Sequence, residues 1–198
     1  MTHYPTSILH EASASLPFSI NIGGVLTELS QPLVMGILNA TPDSFYEGSR
    51  AQAEEAMVQR VQQIVGEGGA IIDVGACSTR PGAVQPSANE EWRRLDQALR
   101  VVRRTAPDAI VSVDTYRAGI AERCVGEHGV HIINDVSGGA MDSRMFETVA
   151  RLGVPYVLTH MQGTPCDMQA APHYENVTVE VTQWLAERVD ALHQMGVA

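Results

Sequence analysis

The stretch 110–135, IVSVDTYRAGIAERCVGEHGVHIIND, contains one full turn of a repeat. It opens on an apolar run that stops at Asp114, passes through a segment of helical length, and closes on a second run, 131–133, that stops at Asn134 and Asp135. The same punctuation recurs on both sides. The run 33–38 stops at Asn39, Ile71 and Ile72 stop at Asp73, and 156–158 stops at Thr159 and His160. Short, nearly continuous apolar runs are strands buried on both faces, and their alternation with amphipathic segments predicts a parallel β/α repeat. Polar residues at the carboxyl ends of parallel strands converge on one rim, where chemistry occurs in a closed β/α barrel. One pattern therefore supplies both a fold class, α/β, and a set of candidate site residues.

The intervening segments carry helical signals. In 53–65, the apolar residues Ala53, Met57, Val61, Ile64 and Val65 share one helical face. Ser87 followed by Glu90 resembles a capping box that opens a helix with Trp92, Leu95, Leu99 and Val102 as its buried stripe. Thr115 is the expected cap of the next helix, and Asp142 or Ser143 of the one carrying Met145, Val149 and Leu152. A last helix from about Asn176 is expected to bury Val177, Val181, Leu185 and Leu192. Near the start, 18–22 and 25–29 flank Gly23 and Gly24, a hairpin signal, placed here as a lid on the bottom of the barrel. Residues 1–17 form an N-terminal extension, and 18–198 form the barrel domain.

With 198 residues, 44% of them hydrophobic, the chain can bury a sizeable core. No run approaches the roughly 18 apolar residues needed to span a membrane, and the first 18 residues lack the features of a signal peptide, so a cytoplasmic address is expected. Cys77, Cys124 and Cys166 are odd in number and widely spaced, which predicts reduced thiols and not a disulfide or zinc framework. A formal charge of −10, with no basic stripe in the sequence to replace counterions, weighs against nucleic acid as a partner. It leaves room for a small anion held by local arginines, backbone amides or a bound cation. No Ser-His-Asp arrangement, HExxH helix or nucleotide-binding glycine loop is present.

Length sets a condition on the barrel. Eight β/α units take about 250 residues, and five account for this chain. An open arc of five strands would expose two edges and one flank of its interior. The expectation is that the chain represents about the first five units of a longer barrel.

The loops after the strands sharpen the reading. VMGILNATPDSFYEGSR at 34–50 and IIDVGACSTRPGA at 71–83 strongly resemble the dihydropteroate synthase family, and VDTY at 113–116, INDVSG at 133–138 and HMQGTPCDMQ at 160–169 follow in the family's order and spacing. The resemblance implies a TIM barrel that joins 4-aminobenzoate to a 7,8-dihydropterin carrying a methyl pyrophosphate, releasing pyrophosphate in folate synthesis. It implies Asp43 and Arg80 as catalytic groups, with Phe45 on a loop that closes over the reactants, and Thr79, Arg80 and Pro81 around the pyrophosphate and aminobenzoate. It assigns Asn39 to a magnesium ion bridged to phosphate oxygens, a role that suits a hard, neutral amide oxygen. Small-molecule substrates, a homodimer in a full-length form, and sensitivity to sulfonamide-like mimics of aminobenzoate belong to the same implication.

Independent chemistry fits these roles. Loss of a pyrophosphate leaving group needs positive charge and donors where negative charge grows, which a Thr79 hydroxyl and an Arg80 fork supply. The amino group and ring nitrogens of a pterin edge match a carboxylate accepting two hydrogen bonds, for which Asp114 is the candidate, with Asn134 beside it. Asp73 and Asp135 are either further site groups or structural carboxylates that orient them. His160 is either a rim base or a loop anchor, and an aromatic amine already neutral at pH 7 needs no strong base.

Three departures limit the match. Ala76 and Cys77 stand where the family usually has two glycines or similar small residues and a Glu before STRPG, and Thr159 replaces a Met beside the pterin. Later strands of the family supply an Asp, a Lys and an Arg without counterparts here, so this 198-residue chain is expected to be weakly active or inactive. The alternative readings are a non-catalytic pterin-binding module and a methyltetrahydrofolate-binding methyltransferase domain.

Overall fold

The computed structural model describes residues 18–40, 50–77 and 85–197. The hairpin comes first: β1 (Phe18–Ile22) pairs antiparallel with β2 (Val25–Leu29), with Ile22 opposite Val25. Gly23 and Gly24 both take positive φ, +59° and +86°, as a two-residue turn of this hand requires. A Cβ on Gly23 would meet the His131 ring at 3.3 Å. His131 precedes a strand of the main sheet, so the hairpin turn sits at the amino-terminal end of the sheet, as a lid on the bottom requires.

The main sheet contains β3 (Met35–Asn39), β4 (Ile71–Gly75), β5 (Ile110–Asp114), β6 (Ile132–Asp135) and β7 (Tyr156–Leu158), all parallel and in sequential order. The helices are α1 (Arg50–Gly66), α2 (Ala88–Thr105), α3 (Ala118–His128), α4 (Met145–Leu152) and α5 (Val177–Gln194). Sequential parallel order with a helix after each strand is the topology of a β/α barrel, and the described residues hold five units of it.

Alternation along each strand separates two layers. Leu38, Val74, Val113 and Ile133 face the helices and join Met57, Val61, Leu95, Leu99, Cys124 and Val149 in one buried core. The intervening residues, Ile37 and Asn39, Asp73 and Gly75, Ser112 and Asp114, face the barrel interior. That interior is open at the sheet edges, where Ile37 is 56% and Val157 39% exposed. Arg60 of α1 donates to the Ile37 carbonyl at 3.1 Å and so occupies part of the free β3 edge. The expectation of two open edges holds for the described residues, and such edges are pairing surfaces for further strands.

Several local expectations are corrected. Strand β4 runs through Asp73 to Gly75, so Asp73 lies one layer below the rim instead of ending the strand. Ser87 does cap α2, accepting from the Glu90 amide at 3.2 Å, but the Glu90 carboxylate turns to Arg93 and Arg94, so the reciprocal half of the box is not made. Thr115 does not cap α3. Its hydroxyl donates to Glu91, and Asp142 reaches in from the loop after β6 to accept from the Ala118 amide at 2.9 Å. Asp142 also accepts from the Arg144 amide ahead of α4, where no side chain caps the helix itself. Val65 and Val177 are exposed. Helix α5 is capped by Asn176 as expected, yet only Leu192 of its stripe is fully buried, with Val181 and Leu185 half-buried.

The loop after β6 is fixed by close approach. Gly138 has φ +54°, and a Cβ there would lie 2.4 Å from the Trp184 ring and 2.7 Å from the Thr159 carbonyl. Gly138→Ala is therefore expected to destabilise the chain by about 3 kcal/mol, since one contact is backbone and cannot yield. A thermal midpoint lowered by roughly 10 °C checks it. Among the described residues no helix is long and apolar enough to cross a membrane.

Candidate active site

Register brings the polar strand ends into one row. Asn39 lies beside Gly75, Gly75 beside Asp114, and Asp114 beside Asn134. Gly75 leaves the gap between its neighbours open: a Cβ there would stand 3.5 Å from Asp114 Oδ2 and 3.8 Å from Asn39 Oδ1. The glycine thus keeps a shared space between the candidate metal ligand and the candidate ring acceptor.

The next layer down supports this row. Asp73 is only 7% exposed, and its Oδ2 accepts from Asn134 Nδ2 at 3.0 Å. One N–H of Asn134 is therefore engaged by Asp73, which fixes the amide and leaves its oxygen to face the interior. Asp73 Oδ1 and Ser112 Oγ are buried without a hydrogen-bond partner, side by side in register. Buried polar atoms carry a penalty of about 1–3 kcal/mol when unpaired, so this floor is suited to a ligand or solvent that brings donors.

Electrostatics follow from crowding. Burial, with Asp73 and then Asp135 nearby, pushes the Asp114 carboxyl up to about 7. A ligand edge presenting two N–H groups supplies what the crowded carboxylates lack, because it stabilises the ionised form directly.

Asp135 has the structural role. It is fully buried on the helix side of β6 and accepts from the Ser137 amide and hydroxyl, the Gly139 amide and the Tyr156 hydroxyl, at 2.7–2.9 Å. Neighbouring residues of a strand point to opposite faces, so Asn134 and Asp135 divide into one group for the interior and one for the loop behind it.

His160 packs edge-on against Trp184 at 4.9 Å and lies 5.9 Å from Tyr174. This is a loop anchor. Gln162 pairs reciprocally with the His173 backbone and fastens the same loop.

Asn39, Asp114 and Asn134 are brought together as expected. Asp43, Phe45, Thr79, Arg80 and Pro81 lie outside the described residues. Cys77, at the rim, is half-buried, and burial raises its thiol against the lowering effect of Arg117, so it is a thiol at neutral pH. No disulfide joins the cysteines among the described residues.

Sequence reading misses two residues that organise the rim, Glu91 and Arg117. Glu91 is fully buried, and its carboxylate pairs with Arg117 and accepts from Thr115. A signal for it exists: Glu91 shares the helical face of Leu95, Ala98 and Val102, and an acid at a core position requires a partner.

Fold and rim together define a β/α-barrel protein with a row of polar groups at the carboxyl ends of its strands. Residues 35–198 match the family described as pterin binding enzyme, and the chain belongs to that family. It is 37% identical over 175 residues to the dihydropteroate synthase of Escherichia coli, covering 88% of this chain and 61% of that protein. It is 42% identical over 183 residues to a folate synthesis bifunctional protein of Arabidopsis thaliana, covering 90% of this chain and 38% of the relative. Among solved structures, a Xanthomonas albilineans dihydropteroate synthase with 4-aminobenzoic acid superposes with a TM-score of 0.79 at 37% identity, over 92% of this chain and 64% of that one. A Yersinia pestis dihydropteroate synthase in a sulfonamide drug complex gives 0.77 at 34% identity, over 91% and 65%. The chain thus spans less than two thirds of the length of each of these relatives.

Proposed function

We propose that this chain is the pterin-holding part of a dihydropteroate synthase, whose reaction condenses 4-aminobenzoate with 7,8-dihydropterin-6-ylmethyl diphosphate. The aminobenzoate nitrogen attacks the methylene carbon, the carbon–oxygen bond breaks, pyrophosphate leaves with the bonding pair, and the amine gives up one proton. The observation that carries this reading is the row Asn39, Gly75, Asp114 and Asn134 above a buried Asp73, in a chain of the pterin-binding family.

In this reading Asp114 accepts the donor edge of the ring, Asn134 lends its oxygen, and Asp73 holds the Asn134 amide in place. Thr79 and Arg80 take the pyrophosphate and Pro81 shapes that loop, while Asp43 and Phe45 close over the reacting carbon. A magnesium ion fits the donor set. The described residues offer no cluster of three His, Cys, Asp or Glu ligands, but Asn39 offers an exposed hard oxygen at the rim, as expected of a cation held largely by phosphate oxygens and water. When bound, such an ion would neutralise charge growing on the leaving group. A cytoplasmic protein and a homodimer in a full-length form belong to the same proposal.

Calorimetric titration of the chain with the pterin pyrophosphate and magnesium, beside Asp114→Asn and Arg80→Ala, tests it. Saturable binding weakened by both substitutions is expected. Ring binding indifferent to Arg80 would assign a pterin-binding module without the transfer reaction, and a folded chain that binds neither ligand part would overturn the proposal.

A further inference from the structure

The rim carries a second concave surface, on the outer flank of the row Asn39, Gly75, Asp114 and Asn134. The first turns of α2 and α3 and the loop after β6 bound a groove of about 420 Å³, within the roughly 300–1,000 Å³ of small-molecule sites. Its lining includes Tyr116 and Arg117, two and three residues beyond Asp114, so it opens at the same end of the sheet.

Charge in this groove runs against the charge of the chain. Arg117, Arg123 and Arg144 line it with a single carboxylate, Asp142, in a chain of formal charge −10. Arg117 is neutralised by buried Glu91. Asp142 is already engaged by backbone, accepting from the Ala118 amide at 2.9 Å and the Arg144 amide at 3.1 Å. It meets Nε and Nη2 of Arg144 at 3.3 and 3.2 Å, longer than the roughly 2.7–2.9 Å of a strong charged pair. Arg123 donates through Nε to Glu127 at 2.8 Å, and its guanidinium lies 3.7 Å from the centre of the Trp92 ring. Among the described residues, both Nη groups of Arg123 and Nη1 of Arg144 make no hydrogen bond.

Two guanidinium groups with unused donors thus line one groove. Their side chains are 46% and 71% exposed, and ion pairs so exposed are weak enough to exchange for a better acceptor. The wall beside them is apolar, formed by Trp92, Ile120 and Met141. Guanidinium forks match a carboxylate in two-point contact, and an apolar wall favours a flat hydrocarbon body over a hydrated ion.

We propose that this groove binds an aromatic carboxylate, with the carboxylate held by Arg123 and Arg144 and the ring against the wall of Trp92, Ile120 and Met141. The reaction proposed above consumes one acid of this class, 4-aminobenzoate, and the groove would hold it on the flank of the rim. The choice of that acid rests on the reading of the site given above; the groove and its charge do not.

The test follows the indole N–H resonance of Trp92, identified by its loss in Trp92→Phe, while 4-aminobenzoate is titrated into the chain at fixed ionic strength. Saturable movement is expected. Arg123→Gln and Arg144→Gln should each weaken it about tenfold, as loss of one charged donor group does. Both variants should melt within about 2 °C of the parent, because the pairs they remove are exposed. 4-Methylaniline, which keeps the ring without the carboxylate, and inorganic phosphate, which keeps charge without the ring, should each bind at least about tenfold more weakly than the acid. A Trp92 resonance that does not move, or that moves with the same midpoint in both arginine variants, would overturn the proposal. Phosphate binding as tightly as the acid would also overturn it, by reducing the groove to a general anion patch. Asp114→Asn separates this site from the row: the Trp92 titration should persist in it unchanged while pterin binding is lost. Failure of pterin binding in the unaltered chain would therefore remove the site reading and leave the groove standing.

Discussion

Asp114→Asn is expected to weaken binding of a pterin ring about 100-fold while leaving the chain folded and, above neutral pH, more stable than before. The loss comes from replacing a two-oxygen acceptor by an amide with one oxygen and one donor, so that one ring N–H loses its partner and faces another N–H. Hydrogen bonds to a charged group contribute about 1.5–3 kcal/mol each, and about 2.7 kcal/mol is a hundredfold. The gain comes from crowding. The Asp114 carboxyl, buried and near Asp73 and Asp135, is pushed up to about 7 in the fold, while in the unfolded chain it titrates near its usual value of about 3.9. Between those values the folded state holds a proton that the unfolded state has lost, so the contribution of Asp114 to stability falls as pH rises from about 4 to about 7 and is level above. The asparagine variant removes that slope. Its midpoint should match the parent near pH 4 and exceed it at pH 8 by several degrees, a comparison that thermal melts at the two pH values make directly. Ligand binding has the opposite dependence. A ring edge with two donors selects the carboxylate, so affinity should decline toward tenfold per pH unit below about 7 and be flat above it, and pH-independent affinity would remove Asp114 from the ring contact.

The strand pattern was legible because parallel strands in a barrel bury both faces and end on polar residues. Asn39, Asp114 and Asn134 stand in one row for that reason. Asp73 lies one layer below its expected place, since an aspartate after two isoleucines reads as a strand end although Val74 still belongs to the helix-facing core. The expected stripe of α5 fails at Val177 because helical spacing marks a face without saying how far a neighbour covers it, and this helix, at the β7 end of the sheet, packs against α4 and the loop after β6. The cap of α3 was not legible at all. Asp142 comes from a loop 24 positions later, and only the folded arrangement of successive β/α units brings the two together. Glu91 and Arg117 are similar: each is visible as a charged residue, but their pairing across 26 positions is a property of the rim.

Asp135→Ala is expected to be the more damaging of the aspartate replacements to the fold, by about 4 kcal/mol, although Asp135 stands one residue from the candidate site residue Asn134. Alanine would strand two backbone amides, those of Ser137 and Gly139, and two hydroxyls, those of Ser137 and Tyr156. Each buried donor left unmade costs about 1–3 kcal/mol, with partial relief where a hydroxyl turns to another acceptor. Tyr156 is held as a phenol by burial and by the negative charge of Asp135, which raise its titration well above the ordinary range, so its hydroxyl remains a donor throughout the working pH range. Asp135→Asn keeps one oxygen for the Ser137 pair and can donate to a reversed Tyr156 hydroxyl, leaving the Gly139 amide as the principal loss. It should therefore cost about half as much, and Tyr156→Phe about 1 kcal/mol. Chemical denaturation of the three variants gives this order directly. The two aspartates also separate by ligand response: in Asp135→Ala, added pterin pyrophosphate should restore part of the lost midpoint by mass action, because Asp114 is intact, whereas Asp114→Asn should show little ligand stabilisation at the same concentration. A reversed pattern would mean that the interior and helix-facing roles of neighbouring strand residues had been exchanged.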